Sequence, residues 1–204
     1  MVQMNTKTIA IASVFAAFTV ILNLSPFKIP APYAPFLIYQ IWEIPIVSVF
    51  LLYGPLMGIA VAVINTLVLL AVFQGALPTG PLYNLAAVLA MLFGIYLVHQ
   101  FAGTHSTRRG EKFLTVLSTA LGTVSRVGIM TLVNWAFLRY PPPLGFSLPE
   151  EAVIAALPLI GLFNATLALY TIPIGYVIAK KVSSSIKIRM WEPKAQMARP
   201  TIIS

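Results

Sequence analysis

Apolar residues run in six long stretches along the chain, separated by short polar or proline-rich segments. A helix that crosses a bilayer needs about 20 mostly apolar residues. The pattern therefore predicts an all-α membrane protein with six transmembrane helices. The second is short enough to be tilted or partly re-entrant, and we expect the first to be a retained helix and not a cleaved signal peptide. The predicted segments are residues 8–24, 38–52, 55–73, 82–101, 113–137 and 151–180.

The connections differ in composition. Residues 25–35 contain four prolines, which lack the helical hydrogen-bond donor and restrict the preceding residue, so we expect an ordered, extended loop. Residues 74–81 form a predicted Gly/Pro turn, and residues 139–150 contain three consecutive prolines. Residues 103–112 are polar and basic.

Composition supports a protein immersed in lipid. The 204 residues are 59% hydrophobic and 9% charged, whereas soluble domains average about 25% charged residues. Cysteine is absent, which excludes disulfides and thiolate chemistry. We divide the chain into a transmembrane substrate-binding domain, residues 1–182, and a basic cytoplasmic tail, residues 183–204.

The basic residues predict the orientation in the plasma membrane. Ten fall on one predicted side and two, Lys28 and Arg139, on the other. The positive side is cytoplasmic, so both termini are expected inside and the three proline-containing loops outside, where they would cap a ligand pocket. The net charge of +8 is accounted for by topology and anionic lipid, and we expect no nucleic-acid partner.

Two charged residues lie within predicted spans, where charge is expensive and is a functional hypothesis by default. Glu43 has several interpretations: it could be a snorkelling interfacial residue, a buried hydrogen-bonded acid that caps the proline-rich loop, with Lys28 as a possible partner, or a direct ligand contact. Capping is the preferred one. Arg126, between Gly122 and Gly128, could pair with Glu43, but their predicted depths differ and a structural role is preferred.

Amides and aromatic residues gather in the predicted outer half. A single amide there is more often an interhelical hydrogen bond than a ligand contact. Several at similar depth, with aromatic neighbours, fit a pocket for a flat heterocycle with polar edges, because such pockets are mostly apolar with a few placed polar groups. The candidate substrate-binding residues are Asn84, Asn134, Asn164, Tyr83, Trp135, Tyr39, Trp42, Glu43 and Lys28.

Small residues line one face of the first segment. Ala12 and Ala16, with Ser13 nearby, lie at the spacing that lets two membrane helices approach closely. Two interpretations stay open: packing within the same bundle, which is preferred from the motif alone, or a docking face for another subunit.

Catalytic motifs are missing from the sequence. His99 and His105 have no acid near them in sequence, so we expect no metal site. There is no Walker-type phosphate loop, so the chain cannot itself hydrolyse a nucleotide. We predict no enzyme activity and no cofactor.

Several motifs in one order resemble the substrate-binding S components of energy-coupling factor (ECF) vitamin transporters, in particular the riboflavin-type group. They span about residues 7–182. The matching stretches are residues 26–30, 42–45 (Trp42-Glu43-Ile44-Pro45), 53–58, 80–86, 132–135 and 157–164. The last three contain Asn84, Asn134 and Asn164, respectively.

The resemblance implies a substrate-capture subunit for riboflavin or a related vitamin or precursor. It implies a transmembrane coupling subunit and two ATPase subunits as partners, with docking through the Ala12/Ala16 face and toppling of the bundle in the membrane. The sequence departs from the riboflavin-type pattern at Leu167, where a lysine is common. Two alternatives are a stand-alone carrier for a small heterocyclic nutrient and a membrane-embedded enzyme of lipid metabolism.

Overall fold

The structure, a computed structural model, describes residues 6–26, 28–72, 77–102 and 108–193. Within these ranges the chain forms six α-helices and one antiparallel hairpin. Residues 74–76 of the predicted turn, residues 103–107 with His105, and tail residues 194–204 lie outside the described residues. In chain order the elements are α1 (Thr6–Leu24), β1 (Ile29–Ala31), β2 (Ala34–Tyr39), α2 (Glu43–Tyr53), α3 (Pro55–Val72), α4 (Gly80–Ala102), α5 (Arg108–Phe137) and α6 (Glu150–Ile186).

Four helices, α3 to α6, are long and apolar enough to cross a membrane, whereas the apolar parts of α1 and α2 are shorter. An all-helical, multi-pass membrane protein therefore agrees with the structure. The six-span count and the cytoplasmic placement of both termini remain predictions.

The short helix α2 is the centre of the bundle. Every residue from Glu43 to Leu52 is buried, and α2 packs against α1, α3 and α6. The contact with α6 is close because Gly175 has no side chain: a Cβ there would lie 2.6 Å from Val47 Cγ1. Ser48 donates hydrogen bonds to the backbone oxygens of Ile44 and Gly175, so its hydroxyl is satisfied inside the core.

The start of α2 corrects the sequence prediction. The predicted segment begins at Ile38, but residues 34–39 form strand β2 and the helix begins at Glu43. The proline-rich loop is an antiparallel hairpin, with Ile29 opposite Tyr39 and Pro30 opposite Ile38. Pro45 lies in the first turn of α2, where its missing N–H costs no helical hydrogen bond, so the helix can start just before it.

The bundle has two distinct ends. The hairpin end contains the β-hairpin, the turn at residues 77–80 and the loop at residues 138–149, and the tail end contains the Tyr53–Gly54 turn and the segment after α6. Helix α6 continues to Ile186, past the predicted domain boundary at residue 182. The Trp191 ring then lies against Phe50 and Tyr96, and its backbone N–H donates to Leu51 O at 2.9 Å.

Gly54 leaves room for the Trp191 ring, so replacing Gly54 tests the packing of Trp191 against the bundle. Its φ of +92° and ψ of 179° suit glycine almost exclusively, and a Cβ there would lie 2.6 Å from the Trp191 ring. We expect Gly54→Ala to lower the free energy of unfolding by about 2–4 kcal/mol.

The matched control is Gly128→Ala on α5, where an added Cβ meets nothing within 4 Å. Alanine at that helical position should leave the stability unchanged or raise it by up to about 1 kcal/mol. Denaturant titration of both purified variants in detergent gives the comparison, and equal stabilities would contradict the described packing.

Candidate functional site

A cavity of about 1040 Å³ opens between the helices at the hairpin end. Its walls come from the end of α1, the hairpin, α3, α4, α5 and α6, and the loop at residues 138–149 contributes Phe146 and Leu148. Ligand sites typically have volumes of about 300–1,000 Å³ and mostly apolar walls. The polar residues that line this cavity are Asn23, Lys28, Gln40, Tyr83, Asn84, Arg126, Asn134 and Asn164.

A buried ion pair and an amide form what we call the polar floor: Glu43, Arg126 and Asn164. Arg126 Nη1 donates to Glu43 Oε2 at 2.5 Å, and Nη2 donates to Oε1 at 2.9 Å. Arg126 Nε donates to Asn164 Oδ1 at 2.9 Å. The two charged side chains are 2% and 3% exposed. The two-point pair joins α2 to α5, and the bond to Asn164 joins α5 to α6 inside the bundle.

The floor is well ordered by its hydrogen bonds. The two-point pairing fixes the plane of the guanidinium, since both carboxylate oxygens accept from it. Asn164 Nδ2 donates to Ile160 O at 2.9 Å, which fixes the amide as well. A lone charge in this environment would be very costly, and the pairing of Glu43 with Arg126 is what makes both charges tolerable.

Helical spacing sets the height of the cavity. Arg126, Met130 and Asn134 follow one another at four-residue intervals on α5, and all three line the cavity. Eight residues of helix rise about 12 Å, so Asn134 lies about that far above the floor. Between the two levels the wall is apolar, with Met130 and, on α6, Ile160.

The roof of the cavity is tied to the start of α4. Tyr83 Oη donates to Leu144 O at 2.7 Å, and Thr79 Oγ1 donates to Pro143 O at 2.5 Å. Both acceptors belong to the loop between α5 and α6. These bonds hold that loop, which begins at the buried Leu138, against the helix that carries Asn84.

Five of the predicted substrate-binding residues line the cavity: Lys28, Tyr83, Asn84, Asn134 and Asn164. Asn134 Nδ2 donates to Met130 O at 2.7 Å, which leaves its Oδ1 without a partner in the described part of the chain. Lys28 is exposed at the mouth, and no ion pair to it occurs among the described residues.

Four others do not line the cavity. Glu43 lies behind Arg126 in the polar floor, so the preferred prediction that it caps the loop through Lys28 is wrong; its partner is Arg126. Trp42 is buried in the apolar core of the bundle. Tyr39 packs against Phe163 and shares a 2.6 Å hydrogen bond with Tyr33. Trp135 points away from the bundle interior and is 45% exposed.

Three polar residues that line the cavity are absent from the predicted site: Asn23, Gln40 and Arg126. For Arg126, the predicted difference in depth from Glu43 favours a structural role, whereas the structure places it in the cavity wall. Asn23 donates to Asn65 Oδ1 at 3.3 Å, joining α1 to α3. Gln40 precedes α2, and its backbone oxygen accepts from Tyr170 Oη at 2.5 Å. The signal for all three was present, since each is a polar residue in an apolar neighbourhood.

The small-residue face of α1 divides in two. Ala12 is 6% exposed and Ala16 packs against the main core, so this pair faces the bundle. Ser13 and Ala17 are exposed, and they lie about 100° around the helix from Ala12 and Ala16. The packing interpretation therefore accounts for Ala12 and Ala16, and the outward small residues are Ala10, Ser13 and Ala17.

Comparisons with known proteins define the class of fold. No protein-family model and no curated protein matches the chain. A solved structure does: the S component of a bacterial ECF transporter aligns with 90% of this chain and 99% of its own, with a TM-score of 0.70 and 20% sequence identity. At that identity the likeness establishes the fold, which is that of an ECF transporter S component.

Proposed function

We propose that the protein is the substrate-capture subunit of an ATP-driven vitamin transporter of the ECF type, and that it binds riboflavin or a closely related vitamin or precursor. The observation that supports this best is the cavity of about 1040 Å³ at the hairpin end, within an S-component fold. Its apolar walls suit a flat ring system, and its amides at two levels suit the polar edges of that ring.

The proposed cycle has two states. The vitamin enters from the outer side, under the loop at residues 138–149, which we call the roof loop. The loaded protein then docks on a transmembrane coupling subunit that two ATPase subunits drive. Release requires a second conformation that binds the vitamin less tightly, since docking can shift the equilibrium between two conformations only if their affinities differ. The bonds of Tyr83 and Thr79 to the roof loop are the contacts that such a change would break.

Two amide variants test the binding site. Asn134→Ala and Asn164→Ala should each weaken riboflavin binding about three- to tenfold, because a hydrogen bond contributes about 0.5–1.5 kcal/mol and 1.4 kcal/mol is tenfold in affinity. Quenching of flavin fluorescence on titration with the purified protein measures this.

The matched control is Thr166→Ala. Thr166 Oγ1 donates to a backbone oxygen four residues earlier, as Asn164 does, but it does not line the cavity. Its affinity should equal that of the wild type. If neither amide variant changes the affinity while the wild type binds, the ligand lies elsewhere.

Uptake by reconstituted vesicles tests the transport role. Tight riboflavin binding without uptake, until the coupling and ATPase subunits are added, is the expected result. Uptake by the protein alone would instead identify a stand-alone carrier.

A further inference from the structure

We infer that Glu43 sets the charge preference of the cavity. By neutralising Arg126, it makes the polar floor a site for an uncharged hydrogen-bonding group and excludes a carboxylate or phosphate from that level. This inference rests on the proposed function, because it concerns the ligand of the same cavity.

The order of the groups supports this role. Arg126 and Asn164 line the cavity, whereas Glu43 does not. The carboxylate therefore lies on the side of the guanidinium away from the ligand, where it accepts from both Nη atoms. A ligand at the floor therefore contacts a guanidinium whose positive charge is already neutralised by Glu43.

The hydrogen bonds show what the floor can still offer. Arg126 has five N–H groups; two donate to Glu43, one donates to Asn164, and Nη1 also approaches Met91 Sδ at 3.8 Å. One N–H on Arg126 and one on the Asn164 amide have no partner among the described residues. The floor thus presents donors with no net charge, which suits a carbonyl or ring-nitrogen acceptor.

An anion at this level would be disfavoured. It would bring a second negative charge close to Glu43 in a site where both side chains are 3% exposed or less, and a like charge in a buried site disfavours the charged form. At the mouth the situation differs, because Lys28 is exposed and no acid pairs with it in the described ranges. Negative charge is therefore tolerated at the mouth, near Lys28, but not at the floor.

Chemical rescue tests the floor without any vitamin. Glu43→Ala vacates the space of the carboxylate beside Arg126, so a small carboxylate should take its place. We expect the midpoint of thermal unfolding of this variant in detergent to be about 3 °C or more higher in sodium formate than in sodium chloride at equal ionic strength.

Wild type and Glu151→Ala serve as controls, since Glu151 is an exposed acid at the start of α6. Neither should distinguish formate from chloride. Equal midpoints of a folded Glu43→Ala in the two salts would overturn the inference. If the variant folds in neither salt, the flavin ratios of Glu43→Gln decide it.

A second measurement tests the ligand preference itself, with three flavins of different charge. They are riboflavin, its 5′-phosphate, and an analogue with a carboxylate in place of the 8-methyl group. Glu43→Gln should shift the affinity ratio toward at least one anionic flavin by about tenfold or more, because it leaves the guanidinium available for a charge-assisted bond.

Glu151→Gln should leave all three ratios unchanged. Ratios that stay the same in Glu43→Gln as well would overturn the inference. If the wild type binds none of the flavins, the proposed vitamin is wrong, and the formate comparison then decides the role of Glu43 by itself.

Discussion

Arg126→Leu should lower the free energy of unfolding by about 3–5 kcal/mol, the largest loss of stability that we expect from one substitution in this protein. The reason is the carboxylate of Glu43, which is 3% exposed and would lose both bonds that balance its charge. Asn164 would also lose the donor to its Oδ1. Titration with a denaturing detergent, followed by circular dichroism, measures the loss.

The double variant Glu43→Leu/Arg126→Leu is the informative control. Apolar residues in place of a buried ion pair often cost little or even stabilise, because neither charge then has to be desolvated. We therefore expect the double variant to recover most of the stability lost by the single one. A double variant as unstable as Arg126→Leu would show that the loss comes from packing and not from an unpaired charge.

Coupled uptake should fall more than tenfold when a tryptophan replaces Ser13 or Ala17, while riboflavin affinity stays at the wild-type level. Both residues are exposed on the outer face of α1, and small residues are what allow a second membrane helix to approach closely. Uptake assays in vesicles that contain the coupling and ATPase subunits, together with fluorescence titration, separate the two properties.

Ala12→Trp is the contrasting variant. Ala12 is 6% exposed within the bundle, so a large ring there should destabilise the protein itself and reduce both binding and uptake, as overpacking does. If Ser13→Trp and Ala17→Trp leave uptake unchanged, α1 is not the docking helix, whatever the vitamin proves to be.

The helices were predictable because their apolar stretches are long and their ends are marked. Proline at position 55 and glycine at position 80 each lie at the start of a helix in the structure. The hairpin was not predictable as such, since four prolines between residues 25 and 35 exclude a helix but do not specify which backbone groups pair. Likewise, the four-residue spacing of Ala12 and Ala16 places them on one face of the helix, but it does not tell whether that face points into the bundle or out of it.

The Glu43–Arg126 pair was missed for a geometric reason. A helix that starts at Ile38 would put Glu43 near the outer surface, well above Arg126. In the structure residues 34–39 form strand β2 and the helix begins only at Glu43, and the carboxylate at this helix start meets the guanidinium. An error of five residues in a boundary was enough to separate two charges that lie within hydrogen-bonding distance.

Helix α2 links the two ends of the molecule mechanically. Its 11 residues form a rod of about 16 Å, with Glu43 at one tip and Leu51, which accepts the bond from Trp191, near the other. A rod enclosed by close-packed neighbours cannot bend without opening voids, so a displacement at either tip is delivered to the other. A displacement of the segment that carries Trp191 would thus reach the polar floor beneath the cavity.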